Sequence, residues 1–155
     1  MSIVKFIKNT PKVAFGKGIF SQFRDNIFDS NMNKNEGVII FLVDSFFNGS
    51  TYITEQIKPK SKDHIVYVST ENEPSTDRID LIVDQIKTLY NPLNISCIVG
   101  IGGGCTLDTA KAVSNLLTNS GKAADYQGWD LLKNPGIYKI GIPTISGTGA
   151  ETLSL

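Results

Sequence analysis

An apolar strand that runs into three consecutive glycines, and then directly into a helical pattern, constrains this fold more than any other feature. Residues 98–101 are largely apolar, glycines occupy 102–104, and apolar residues then recur at helical spacing as far as Leu117. Backbone N–H groups at the start of a helix attract an anion, and glycine lets a phosphate approach without meeting a Cβ atom. The stretch therefore predicts a phosphate-binding turn between a strand and a helix. A tight turn that holds no ligand is the alternative.

Strand-like and helix-like patterns alternate along the chain, which is typical of an α/β domain. We expect a Rossmann-like, mainly parallel sheet flanked by helices, in one domain that spans residues 1–155. The predicted strands are 12–15, 38–43, 64–68, 95–99 and 138–142. The predicted helices are 19–28, with Phe20, Phe23 and Ile27 facing the core, then 79–90, and the helix that follows the glycines.

Composition excludes several classes of function. Lysine plus arginine equals aspartate plus glutamate at 15 each, and no dense basic patch indicates a nucleic-acid partner. No segment approaches the ~18 consecutive apolar residues that span a membrane, and the first residues lack the apolar core of a signal peptide. The two cysteines, Cys97 and Cys105, form no CxxC pair. These observations favour a cytoplasmic protein with reduced thiols.

Polar residues follow three of the predicted strands, at the edge where a parallel sheet binds its ligands. They are Asp44, the glycine turn and the loop 143–150. A carboxylate at Asp44 can accept the hydroxyl hydrogens of a ribose and repel a 2′-phosphate; a helix cap or a solvated turn residue is the alternative. The usual dinucleotide fingerprint places its acid about 20 residues after the glycines, which would favour Asp125 or Asp130.

Other side chains near the glycine turn have two interpretations each. Cys105 at the helix start could have a lowered pKa, or it could simply supply a small side chain. Asp108 complements the positive end of the helix, and that role can be purely stabilising. The hydroxyls of Thr144 and Thr148 can hold phosphate or ribose oxygens, or can belong to a polar surface turn.

Two segments resemble the signatures of a known family. Residues 102–111 look like the Gly-Gly-Gly-Ser-x-x-Asp-x-Ala-Lys signature of the iron-containing (group III) alcohol dehydrogenases. Residues 142–151 are similar to the second signature of that family, Ile-Pro-Thr-Thr-x-Gly-Thr-Gly-Ser-Glu. Residues 11–18 resemble its opening strand and turn. The resemblance implies the N-terminal dinucleotide-binding domain of a two-domain, dehydroquinate-synthase-like fold, in which a helical domain follows.

The resemblance also implies a cofactor site for NAD. Its implied residues are Asp44, Gly102, Gly103, Gly104, Cys105, Asp108, Thr144 and Thr148. The glycine turn would hold the pyrophosphate, Asp108 would lie near the nicotinamide, and Asp44 would meet the adenine ribose and favour NAD over NADP. Cys105 stands where the family usually has serine, so a backbone contact to phosphate survives there and a hydroxyl contact does not.

The family binds iron or zinc through an aspartate and three histidines of its helical domain. This chain has a single histidine, His64, which precedes both signatures. We therefore expect the cofactor half of an NAD-linked alcohol dehydrogenase, without catalytic or metal-binding residues of its own. Its partners would be NAD, a small alcohol and a second copy of the chain in a homodimer. A stand-alone nucleotide-binding or regulatory module, and an interaction fragment whose site has decayed, are the alternatives.

Short stretches point to a branch of the family. Residues 125–130, together with residues 69–71 and 73–74, resemble the branch that oxidises 3-deoxy-octulosonate at its 8-position. A sugar acid is therefore a candidate substrate.

We expect the 155-residue chain to form no reduced cofactor when it is mixed with NAD, iron or zinc, and a panel of alcohols. Without a bound metal, nothing polarises the alcohol oxygen and lowers its pKa for hydride loss. The absorbance of the reduced nicotinamide measures the result. Robust turnover would contradict the interpretation of this chain as a cofactor half.

Overall fold

The computed structural model describes residues 10, 12–24, 37–128 and 130–150. In chain order its strands and α-helices are β1 (Val38–Asp44), α1 (Thr51–Ile57), β2 (His64–Val68), α2 (Thr76–Leu89), β3 (Ile95–Gly102), α3 (Gly104–Leu116) and β4 (Lys139–Pro143). Short 3-10 turns lie at Ile19–Gln22, Ser45–Phe47, Pro92–Asn94 and Ala123–Tyr126.

The sheet confirms the predicted parallel α/β architecture. Its strand order is β2-β1-β3-β4, and each neighbouring pair is parallel. From β1 the chain goes to one side to form β2 and then returns to form β3 on the other side of β1. This change of direction opens a crevice between the carboxyl ends of β1 and β3, where sheets of this kind bind ligands. Asp44 and Gly102 end these two strands.

Side chains of the central strands alternate between two hydrophobic layers. On one face, β1 and β3 pack with α2 and α3; this layer includes Ile40, Leu42, Val83, Ile86 and Val113. On the other face they pack with α1 and Phe23; this layer includes Ile39, Phe41, Val43, Ile53 and Ile57. Strands β1 and β3 are therefore buried on both sides, which explains why their sequences are continuously apolar.

The predictions for the N-terminal strand and helix agree less well with the structure than those for the sheet. The predicted strand at 12–15 is wrong: these residues form no strand, and the side chains of Val13 and Phe15 are 77% and 99% exposed. An apolar alternation makes a strand only where another strand pairs with it. Of the predicted helix 19–28, the described part contains a 3-10 turn, and Phe23 is buried as expected. Ile27 lies outside the described residues.

Helix α1 was not predicted from the sequence. It has only seven residues, and its buried apolar positions are Ile53 and Ile57. Two apolar residues are too few to show a helical period. Its clearest local signal is Ser50, whose hydroxyl accepts a hydrogen bond from the N–H of Tyr52.

Replacing Gly100 by alanine should destabilise the fold. A Cβ at Gly100 would lie 2.8 Å from the Cβ of Ala110, so the substitution would push α3 away from β3. We expect the free energy of unfolding to fall by ~1–3 kcal/mol, measured by equilibrium denaturation with urea. Gly141→Ala is the matched control, because its Cβ would lie at an ordinary 3.5 Å from Leu107. Equal effects of the two substitutions would contradict this explanation.

Candidate functional site

The glycine turn between β3 and α3 is a point where other parts of the chain come unusually close. A Cβ at Gly102 would lie 2.6 Å from Oγ1 of Thr106 and 3.0 Å from the Cβ of Asp44. A Cβ at Gly103 would meet Ile145 at 3.3 Å, and one at Gly104 would meet Thr148 at 3.2 Å. The missing side chains therefore make room for neighbouring protein segments, and so bring those segments to the turn.

Helix α3 presents its positive end at this turn. Gly103 is its N-cap and supplies no side-chain hydrogen bond, and the first turn contains no acidic residue. The first N–H groups of a helix have no acceptor within the helix, and the helix dipole adds roughly half a positive charge there. These properties suit a bound anion such as a phosphate group.

Asp44 lies beside the turn and is held in a fixed orientation. Its Oδ1 accepts hydrogen bonds from the N–H of Phe46 at 2.9 Å and from the hydroxyl of Thr70 at 3.2 Å. The capping role that the sequence left open is thus real. Oδ2 has no hydrogen-bond partner among the described residues, so Asp44 can cap the turn and still offer an oxygen to a ligand. Thr70, which the sequence did not reveal, fixes this carboxylate from the end of β2.

The loop after β4 borders the site together with Asp44 and the glycine turn. The N–H of Thr144 donates to the carbonyl of Gly102 at 2.9 Å, which fixes the start of the loop against the end of β3. Thr144 and Thr148 are exposed. The N–H of Ala150 donates to Oγ1 of Thr148 at 3.4 Å. The predicted convergence of Asp44, the glycine turn and this loop at one edge of the sheet is confirmed.

Cys105 follows the glycines and does not have the lowered pKa that the helix start suggested. Its thiol lies 3.8 Å from the carbonyl of Asn72, in the loop after β2. Partial burial raises the pKa of this thiol, and the positive charge of Arg78 only partly opposes that effect. Nearby carboxylates also raise the thiol's pKa; they are Asp44, Asp108 and Glu73. Of the two interpretations of Cys105, the lowered pKa is therefore the wrong one.

Asp108 lies one turn further along α3, with a half-exposed side chain. Its Oδ1 accepts a hydrogen bond from Nζ of Lys111 at 3.0 Å, and Lys111 is itself buried. The pair keeps a compensating charge beside the buried ammonium group. Lys139 on β4 is close enough for the charge of Lys111 to help lower its pKa, although burial is the larger cause.

The alternative ribose ligands, Asp125 and Asp130, belong to the segment that follows the far end of α3. Oδ2 of Asp125 accepts a hydrogen bond from the N–H of Lys122 at 2.8 Å and caps a 3-10 turn. Helix α3 has 13 residues, so its two ends are about 20 Å apart. Of the three candidate ribose ligands, Asp44 is the one that the fold brings to the glycine turn.

The described residues lack two features, a cluster of metal ligands and a membrane-spanning helix. In this part of the chain, no three His, Cys, Asp or Glu side chains come together as possible metal ligands. None of its helices is long and apolar enough to cross a membrane.

Comparisons with known proteins agree with the fold and the signatures. A family model described as iron-containing alcohol dehydrogenase matches residues 10–155. Sulfoacetaldehyde reductase of Bilophila wadsworthia is 41% identical over 58% of this chain and 22% of its own length. NAD-dependent methanol dehydrogenase of Bacillus methanolicus is 31% identical over 75% of this chain and 30% of its own length. The chain thus spans less than a third of either curated relative.

A solved structure shows the same fold. Sulfoacetaldehyde reductase of Bifidobacterium kashiwanohense, crystallised in complex with NAD+, superposes with a TM-score of 0.74 at 21% identity. The match covers 97% of this chain and 38% of that one.

The raised pKa of Cys105 predicts slow alkylation near neutral pH. Only the thiolate reacts with iodoacetamide, so the labelling rate of native Cys105 should rise at a higher pH than in the urea-denatured chain. Mass spectrometry of the labelled peptide measures both pH profiles. Cys97, which is fully buried, should stay unlabelled in the native chain and serves as an internal control. A native Cys105 profile at lower pH than the denatured one would contradict the prediction.

Proposed function

The chain belongs to the iron-containing alcohol dehydrogenase family, and on that premise we propose that residues 1–155 form the NAD-binding domain of an NAD-linked alcohol dehydrogenase. The single observation that carries this proposal is the convergence of Asp44, the glycine turn and the loop 144–148 at the crevice between β1 and β3. A dinucleotide has two features that such a site can recognise, a charged pyrophosphate and ribose hydroxyls. The site offers groups of the right chemistry for each.

The start of α3 is proposed to hold the pyrophosphate. Its N–H groups lie at the end of β3 and have no capping side chain at Gly103. The exposed hydroxyls of Thr144 and Thr148 lie beside the same turn and can donate to phosphate or ribose oxygens. Because Cys105 replaces the family's serine, the contact at that position is proposed to come from its backbone N–H.

Asp44 is proposed to bind the adenine ribose through Oδ2. Its other oxygen is already engaged by Phe46 and Thr70, so the carboxylate is oriented before a ligand arrives. A carboxylate accepts hydrogen bonds from ribose hydroxyls and repels a 2′-phosphate. This arrangement favours NAD over NADP.

When bound, NAD supplies the hydride acceptor for oxidation of an alcohol. The residues described here bind and orient the cofactor, and Asp108 is proposed to lie towards its nicotinamide end. Iron or zinc is proposed for the longer protein on the resemblance to the family. The described residues offer no ligand set for a metal, so no step of the reaction is derived through one.

The named relatives act on different small molecules, and the 3-deoxy-octulosonate branch stays a prediction. A homodimer is supported by the exposed apolar side chains of Val13 and Phe15, which a second chain could cover. A cytoplasmic location without nucleic-acid or membrane partners is supported by the balanced charge and the sparse, unpaired cysteines.

Asp44→Asn should remove the preference for NAD. Asparagine keeps an oxygen that can cap the N–H of Phe46, so the fold should survive, but it no longer repels a 2′-phosphate. Calorimetric titration should show that the wild-type chain binds NAD at least tenfold more tightly than NADP. In the variant this ratio should approach one. An unchanged ratio would show that Asp44 does not select the cofactor.

A further inference from the structure

Arg78 lies where the start of α2 meets the start of α3. Its backbone N–H donates to Oγ of Ser75, the N-cap of α2, at 3.3 Å. The loop just before this cap contacts the glycine turn, because the thiol of Cys105 lies 3.8 Å from the carbonyl of Asn72. The partly buried side chain of Arg78 therefore belongs to an element that borders the proposed pyrophosphate site.

Carboxylates border this site. Asp108 is paired with Lys111, whereas Asp44 and Glu73 form no ion pair among the described residues. Arg78 is the cation that acts on the Cys105 thiol, against the carboxylates of Asp44, Asp108 and Glu73. A pyrophosphate adds about two further negative charges. The helix dipole offsets only about half a charge. Without an additional cation, the carboxylates would repel the ligand that the backbone is shaped to receive.

The guanidinium of Arg78 is available for that task. Within the part of the chain that the structure describes, it forms neither an ion pair nor a side-chain hydrogen bond. Three other basic side chains there form ion pairs: Arg24 with Asp63, Lys111 with Asp108 and Lys122 with Asp84. A guanidinium presents a planar fork of N–H donors that suits phosphate oxygens.

A second feature at the turn also points to a ligand. Oγ1 of Thr106 is fully buried and has no hydrogen-bond partner among the described residues. It lies against Gly102, at the same turn as Cys105. Buried hydroxyls nearly always have a partner, so this atom indicates that the turn lacks one of its polar contacts.

We propose that Arg78 binds the pyrophosphate of the dinucleotide and supplies the positive charge that lets this acidic site accept it. The proposal rests on the proposed function, since it assumes a dinucleotide at the glycine turn. It adds a binding residue from α2, outside both signature segments.

The test compares Arg78→Gln and Arg78→Lys with the wild-type 155-residue chain. Calorimetry at low salt measures the affinity for NAD, ADP and adenosine. Arg78→Gln should bind NAD and ADP about tenfold more weakly, which corresponds to ~1.4 kcal/mol, and should bind adenosine unchanged. Arg78→Lys should retain part of the affinity. Lys87→Gln is the matched control, because it removes a positive charge from the exposed far end of α2, about 13 Å along the helix axis.

The pH profile of Cys105 alkylation locates the guanidinium without any ligand. Because the charge of Arg78 lowers the thiol's pKa, Arg78→Gln should shift the profile to higher pH and Lys87→Gln should not. An unshifted profile in Arg78→Gln would place the guanidinium away from the turn and overturn the proposal.

The binding outcomes separate the two proposals. If the wild-type chain binds NAD and Arg78→Gln binds it equally well, the role of Arg78 is wrong and the proposed function stands. If Arg78→Gln weakens adenosine as much as ADP, the side chain acts on the fold and not on phosphate, which also overturns the inference. If the wild-type chain binds neither NAD nor ADP, both proposals fail.

Discussion

The close approach of α3 to the sheet is the constraint on which the site depends. Gly100 lets Ala110 pack directly on β3, and Gly102 leaves room for both Thr106 and Asp44 at the end of that strand. A side chain at either position would displace the helix from the sheet edge. The same two glycines that stabilise the packing therefore place the positive end of α3 beside a carboxylate.

Strand order turns this local packing into a crevice. In the parallel register Val43 lies opposite Ile101, and Gly102 lies opposite Pro143, so the ends of β1, β3 and β4 are level with one another. The loops that follow these strands consequently start at one edge. Because the chain reverses its direction of winding between β1 and β3, no connecting helix covers the space between them. The crevice is a consequence of topology, and the side chains at its border give it chemical character.

The sequence predicts the parts of this arrangement that have local signals. A continuous apolar run predicts a strand buried on both faces, and consecutive glycines before a helical period predict the turn at 102–104. Long-range features lack such signals. The hydroxyl of Thr70, just after β2, reaches Asp44 at the end of the neighbouring strand β1, and the pKa of Cys105 reflects charges from several elements. The helix start alone suggests a lowered pKa, and only the fold shows the burial and carboxylates that raise it.

The acidic character of the site has a consequence for the ligands that it can accept. Asp44 and Glu73 act on the Cys105 thiol and have no ion-pair partner among the described residues, whereas Asp108 is paired with Lys111. If Arg78 binds the pyrophosphate as proposed, Arg78 and the dipole of α3 together compensate its negative charge. Little positive charge then remains at the turn. A ligand with a further phosphate on its ribose would then meet the uncompensated carboxylate of Asp44. Selection between NAD and NADP would thus depend on the charge balance of the whole turn. Asp44 would supply the negative charge at the position of the 2′-phosphate.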